Sequence, residues 1–144
     1  MNLNHSVNLK EAIRFHGHLG PYLVLGILAG ELAVRLLKCK KYFGLKVKVW
    51  GADKKPKSCL IDGLQLSSGA TYGKGNIKKF NGAQIKIEVL NELTQKKIVL
   101  QFKDALLKKL EEIKTHKDSE ILARELYRTT PSQLFNCELI TNND

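Results

Sequence analysis

Three short segments hold residue types that can do chemistry. The first is Phe15-His16-Gly17-His18-Leu19-Gly20-Pro21. Two histidines two residues apart cannot share one helix face. In a turn both can reach one site, because Gly17 frees the backbone between them. Imidazole is the commonest protein metal ligand and titrates near neutrality. The plainer reading is one histidine at a helix end and one on the surface. The second segment, Ser58-Cys59-Leu60-Ile61-Asp62-Gly63-Leu64-Gln65, puts Cys59 in the first turn of an expected helix. A helix N-terminus lowers a thiol pKa, and thiolate is the form that binds metals. Lys54, Lys55 and Lys57 push the same way. The plainer reading is a small core residue beside Leu60 and Ile61. The third segment runs from Ser68 to Asn76 and imitates a phosphate loop. It has three residues between Gly69 and the Gly73-Lys74 pair where the motif needs four, and Gly75 where it needs Ser or Thr. That excludes nucleotide hydrolysis, although a tight loop of this kind can turn its amides to an anion. His5 and His116 have no companions and are expected on the surface. Cys39 and Cys137 are expected to be structural.

The elements that must position these segments follow from periodicity and punctuation. Asn8 can cap a short helix through Phe15, with Glu11 at the capping-box position. Pro21 opens a second helix from Tyr22 to about Lys38. That stretch is apolar on nearly every face, too long for a strand, and reads as a buried helix. Gly26 and Gly30, four apart, offer a face for close approach in the core or between subunits. Val47 and Val49 alternate with lysines, and Ile85, Ile87 and Val89 alternate with polar residues, so both are strands. Asn91 to Lys96 links the latter to a strand over Lys97 to Phe102. Ser58 can cap a helix to about Gln65. A helix from Lys103 to about Lys114 should turn Leu106, Leu107, Leu110 and Ile113 inward. Ser119 can cap a last helix to about Arg128, and Leu134 to Ile140 reads as a strand. Helices lead, strands cluster, and there is no regular βαβ alternation. The expected fold is therefore α+β, with helices packed on a mostly antiparallel sheet and an N-terminal buried helix.

Composition narrows the function classes. A chain of 144 residues with 43% apolar content fits one domain, 1–144, able to bury a core without staples. The apolar run from Leu19 to Gly30 is too short for a bilayer, which needs about 20 residues. No signal peptide is read at Met1-Asn2-Leu3-Asn4-His5. Three isolated cysteines fit a reducing compartment, with a cytoplasmic location and no disulfide expected. The net charge of +10 raises polyanion binding, but Arg occurs only at 14, 35, 124 and 128. Base readout leans on arginine, so specific nucleic-acid recognition is not expected and a small anionic ligand is the better use of the charge.

Taken together, the three segments resemble the E-subunit family of formylmethanofuran dehydrogenase. Phe15-His16-Gly17-His18 with Gly20-Pro21 is similar to its Phe-His-Gly-His-x-Cys-Pro opening. Cys59-Leu60-Ile61-Asp62-Gly63-Leu64-Gln65 is similar to its Cys-x-x-Asp-x-x-Gln segment. Gly69 to Asn76 is similar to its Gly-Cys-Thr-x-Gly-Lys-Gly-Asn loop, and Leu134-Phe135 fits its closing stretch. Gly20 and Ala70 stand where the family usually has Cys, and the Cys-rich zinc tail of many members is missing.

The resemblance implies an α+β core domain, a metal site near the first histidine segment and a homodimer, and it names no reaction. The expected metal ligands are His16, His18 and Cys59, a borderline-soft set that suits zinc. Asp62 falls three residues after Cys59 and can orient an imidazole through its second nitrogen. Asp62, Gln65, Thr71, Lys74 and Asn76 are expected as substrate contacts or as supports of the ligands. The function implied is a metal-binding domain, an accessory protein in one-carbon or molybdopterin-linked metabolism. The alternative is a degenerate, non-catalytic dimeric interaction or small-anion-binding module.

Overall fold

A computed structural model describes residues 5–141. Asn8 caps α1 (Leu9–His16), its Oδ1 accepting the Lys10 N–H at 2.8 Å and the Glu11 N–H at 3.4 Å. Gly17 ends the helix at φ 104°, a left-handed conformation that glycine adopts without a Cβ penalty. α2 (Pro21–Leu37) begins on Pro21, and twelve of its seventeen residues are buried. After it come β1 (Leu45–Trp50), α3 (Cys59–Ser68), β2 (Ile77–Phe80), β3 (Lys86–Asn91) and β4 (Lys96–Phe102). α4 (Asp104–Glu111), α5 (His116–Tyr127), a short 3-10 turn and β5 (Phe135–Thr141) complete the chain.

The five strands form one sheet in the order β2-β1-β3-β4-β5. Every pair is antiparallel except β1 with β2, which is parallel and joined through α3. Inward residues Val47, Val49, Ile87, Val89, Ile98 and Leu100 form one core with Leu25, Leu28 and Leu32 of α2 and Leu60 and Leu64 of α3. Each such side chain, fully buried, contributes roughly 1.5–3 kcal/mol. The architecture is the α+β fold expected, a mostly antiparallel sheet with helices on one face. Among the described residues no helix is long and apolar enough to cross a membrane.

The glycines of α2 settle whether they serve the core or a subunit contact. A Cβ on Gly26 would overlap the carbonyl oxygen of Leu60, and one on Gly63 would overlap that of Leu23. A Cβ on Gly30 would overlap the Ser67 hydroxyl. α2 and α3 therefore touch backbone to backbone, and the close-approach face is used inside the chain. Numbers rise together along both helices, Gly26 against Gly63 and Gly30 against Ser67, so the helices run parallel. Their N-termini lie at the same end of the molecule.

Several local expectations are corrected. β2 escapes the sequence reading because Lys78-Lys79 breaks the period-two pattern, and only Ile77 of its four residues is buried. Thr115, not Ser119, caps α5, its Oγ1 accepting the Asp118 N–H at 3.1 Å. Ser58 is already helical, at φ −64° and ψ −17°, and makes no cap with its side chain. Leu107 points out and is 41% exposed. Cys137, expected to be structural, is exposed on β5. His5 is no lone surface residue, since its ring nitrogens lie 2.9 Å from a Glu31 oxygen and 2.6 Å from the Tyr127 carbonyl oxygen.

Candidate metal centre

The parallel run of α2 and α3 brings two distant segments together. His16 ends α1, His18 follows the Gly17 break, and both precede the start of α2. Cys59 is the first residue of α3. With both helix starts at one end, one ligand atom from each of His16, His18 and Cys59 lies within 4.8 Å of the others. The two imidazole rings sit 4.6 Å apart at 50°. Two imidazoles and a thiolate at this separation form a group able to hold a metal ion.

The hydrogen bonds single out one nitrogen. His16 Nδ1 lies 2.6 Å from Asp62 Oδ2, and in a neutral ring that donates there the lone pair is on Nε2. That Nε2 is buried and meets no hydrogen-bond partner among the described residues. A buried unsatisfied polar atom costs about 1–3 kcal/mol, and native structures rarely keep one without a use. An imidazole held by a carboxylate at one nitrogen and bare at the other is the arrangement of a metal-ligating histidine. Asp62 is held in turn, Oδ1 accepting from Gln65 Nε2 at 3.3 Å, and Gln65 Oε1 accepts the Tyr72 N–H at 3.1 Å. His16, Asp62, Gln65 and the Tyr72 amide thus form one chain of bonds from the site to the glycine-rich loop.

Thr71, Lys74 and Asn76 make hydrogen bonds that hold that loop together. The Thr71 N–H donates to Asn76 Oδ1 at 2.9 Å, and Asn76 Nδ2 donates to the Tyr42 carbonyl at 3.1 Å. Lys74 Nζ donates to the Gly69 carbonyl and lies 4.7 Å from the Phe43 ring centre. The loop begins at the far end of α3, a helix about 15 Å long.

The Cys59 thiol departs from its sequence-based expectation. Burial pushes its pKa up, the Asp62 carboxylate pushes the same way, and Lys55 and a backbone hydrogen bond oppose them. The helix terminus and the lysines therefore do not make it an acidic thiol in the metal-free protein. Sequence reasoning also missed the far wall of the site. Ser119 of α5, with Leu110 and Ile113 from α4 and beyond, lines a cleft of about 240 Å3 with His18, Gly20 and Cys59. No local pattern in α4 or α5 points at a site, because only the tertiary packing brings them there.

The two positions that lack a cysteine differ in setting. A Cβ on Gly20 would stand 3.8 Å from His18 Nδ1, beside the ligand group. Ala70 is fully buried in the core at the other end of α3. Only the first borders the candidate site.

A comparison with curated proteins finds no match. Among solved structures, an FmdE-like protein of the tungsten formylmethanofuran dehydrogenase type, from Syntrophus aciditrophicus, superposes with a TM-score of 0.64. The superposition covers 96% of this chain and 77% of that one at 18% identity, and so speaks for the fold. The family described as "FmdE, Molybdenum formylmethanofuran dehydrogenase operon" matches residues 15–136, from the residue before His16 to the second residue of β5. With that match spanning all three chemistry-bearing segments, the chain belongs to the FmdE family.

Proposed function

We propose that this chain is a metal-binding accessory domain, with His16, His18 and Cys59 as the ligands and zinc as the favoured ion. The observation that carries the reading is the buried Nε2 of His16, which meets no hydrogen-bond partner among the described residues while Nδ1 lies against Asp62. The donor set agrees, since two imidazoles and one thiolate suit zinc and leave a coordination position open. When bound, such an ion supplies Lewis acidity at that open position. The chain's own contributions are orientation and shielding. Asp62 fixes the His16 tautomer, Gln65 fixes Asp62, and Leu110 and Ile113 give the adjoining cleft an apolar wall. Family membership supports a setting in one-carbon or molybdopterin-linked metabolism.

Metal content after purification without chelator or tag, followed by titration with Zn2+, Ni2+ and Fe2+, tests the site. Wild type should take up about one ion per chain, and His16→Ala and Cys59→Ala should each lose most of that uptake. No uptake by wild type, or uptake by both variants equal to that of wild type, would overturn the assignment.

A further inference from the structure

A groove lies away from the histidines, on the sheet face that no helix covers. Its volume is about 350 Å3, and Lys46, Lys48, Lys78 and Lys97 surround it. Alternation along the strands puts them there. Val47, Val49, Ile98 and Leu100 turn to the core, so Lys46, Lys48 and Lys97 turn outward. Lys48 and Lys78 occupy the same register across the parallel β1–β2 pair. Neighbouring strands lie about 4.8 Å apart, and like charges directly opposite each other destabilise a sheet.

Within the chain that repulsion is relieved in part by Glu88, which faces Lys48 directly across the antiparallel β1–β3 pair. Glu88 is the one acid lining the groove, and its Oε1 lies 3.5 Å from Lys97 Nζ. Lys46 reaches Glu92 at 3.8 Å. Among the described residues no ion pair is formed by Lys48 or Lys78. Four lysines less one carboxylate leave the groove at +3.

We propose that this groove binds a small molecule carrying two or more linked phosphate groups. Charge complementarity is the first argument. The second is the spread of the cations over three strands, β1, β2 and β4. One monophosphate cannot touch all of them, whereas a chain of phosphates can. Size is the third, since the groove falls in the range of small-molecule sites, about 300–1,000 Å3. A nucleic-acid strand fits less well. Single-strand binders offer bare aromatic faces for bases, and among the described residues no aromatic side chain lines this groove. Lysine, a flexible point charge, suits phosphate oxygens without demanding a fixed geometry. Leu90 adds an apolar patch for the rest of the ligand.

Calorimetric titration at low salt with phosphate, pyrophosphate, tripolyphosphate and a thymidine oligonucleotide tests the proposal. Affinity should rise at least about tenfold from phosphate to tripolyphosphate, as added charge-assisted contacts require. Lys48→Gln/Lys78→Gln should lose about tenfold or more of the tripolyphosphate affinity. Lys108→Gln/Lys114→Gln, which removes the same charge from the opposite region of sequence, should keep it. The Lys48/Lys78 variant should keep the wild-type fold by circular dichroism, yet gain nothing in melting temperature from tripolyphosphate. Equal affinity along the phosphate series would overturn the proposal. So would equal losses in both double variants, or an oligonucleotide that binds more tightly than tripolyphosphate through the same two lysines.

Discussion

His16 holds Asp62 at Nδ1, while its buried Nε2 meets no hydrogen-bond partner among the described residues. That arrangement makes Asp62 a positioning residue whose effect can be measured. Asp62→Asn keeps the shape of the contact but removes its charge. Metal affinity should fall about 10–100-fold, with the far-ultraviolet circular dichroism unchanged. A variant that binds as wild type does would show that the contact is not used. Gly20 gives the opposite prediction. Its φ of −148° suits any residue, and a Cβ there meets only ordinary contacts at 3.5–3.8 Å. Gly20→Cys should therefore add a thiolate beside His18 and raise zinc affinity about tenfold or more, read by competition with a chromophoric chelator. At this scale much was legible. The i to i+3 spacing of Cys59 and Asp62 on a helix predicts a carboxylate beside a ligand, and the structure has it bonded to His16. The Cys59 pKa was not legible, because burial, which no local sequence reports, outweighs the lysines that sequence does report.

α2 and α3 pack so closely that their mutual direction decides where the site lies. Because they run parallel, the loop before one and the first residue of the other meet. Gly63 is the sharpest point of that contact, since a Cβ there would overlap the Leu23 carbonyl oxygen and approach Ile27 N at 2.7 Å. Backbone cannot yield as a side chain does. Gly63→Ala should cost about 3 kcal/mol or more in thermal or denaturant unfolding. A loss under 1 kcal/mol, on the order of an ordinary surface change, would mean that the helices can separate cheaply. The apolar helix was legible because seventeen residues with only Glu31 and Arg35 charged leave a single reading. Its close partner was not, since Gly26 and Gly30 fit a subunit contact as well as an internal one. β2 was hidden for another reason. An edge strand with one buried residue has almost no hydrophobic period, and its pairing to β1 is fixed by the crossover through α3.

The molecule as a whole ties its N-terminal segment across two helices that lie far along the chain. Glu31 on α2 has a carboxylate only 10% exposed, and it accepts the Ser6 N–H at 2.5 Å and the Val7 N–H at 3.4 Å. His5 bridges the same carboxylate to the Tyr127 carbonyl and stacks on the Tyr127 ring at 3.8 Å, while Tyr127 Oη donates to the Val7 carbonyl at 2.6 Å. None of this was legible, because residues 122 positions apart in sequence share no local pattern. The knot has a consequence for the site. It holds the segment that enters α1 at Asn8, and α1 ends at His16. With only Ala12 fully buried, α1 has a small apolar footing of its own. Its position therefore depends on the two ends, the Glu31 knot and the His16–Asp62 bond. Glu31→Gln keeps the size of the side chain and removes the charge that four donors share. It should cost about 1.5–3 kcal/mol in unfolding. It should also speed amide exchange through residues 6–16 while leaving the sheet amides protected. Metal affinity should fall by a smaller factor than in Asp62→Asn, because a loosened α1 samples the ligating position less of the time. If affinity is unchanged while exchange through α1 accelerates, the His16–Asp62 bond alone places the imidazole, and the knot serves stability only.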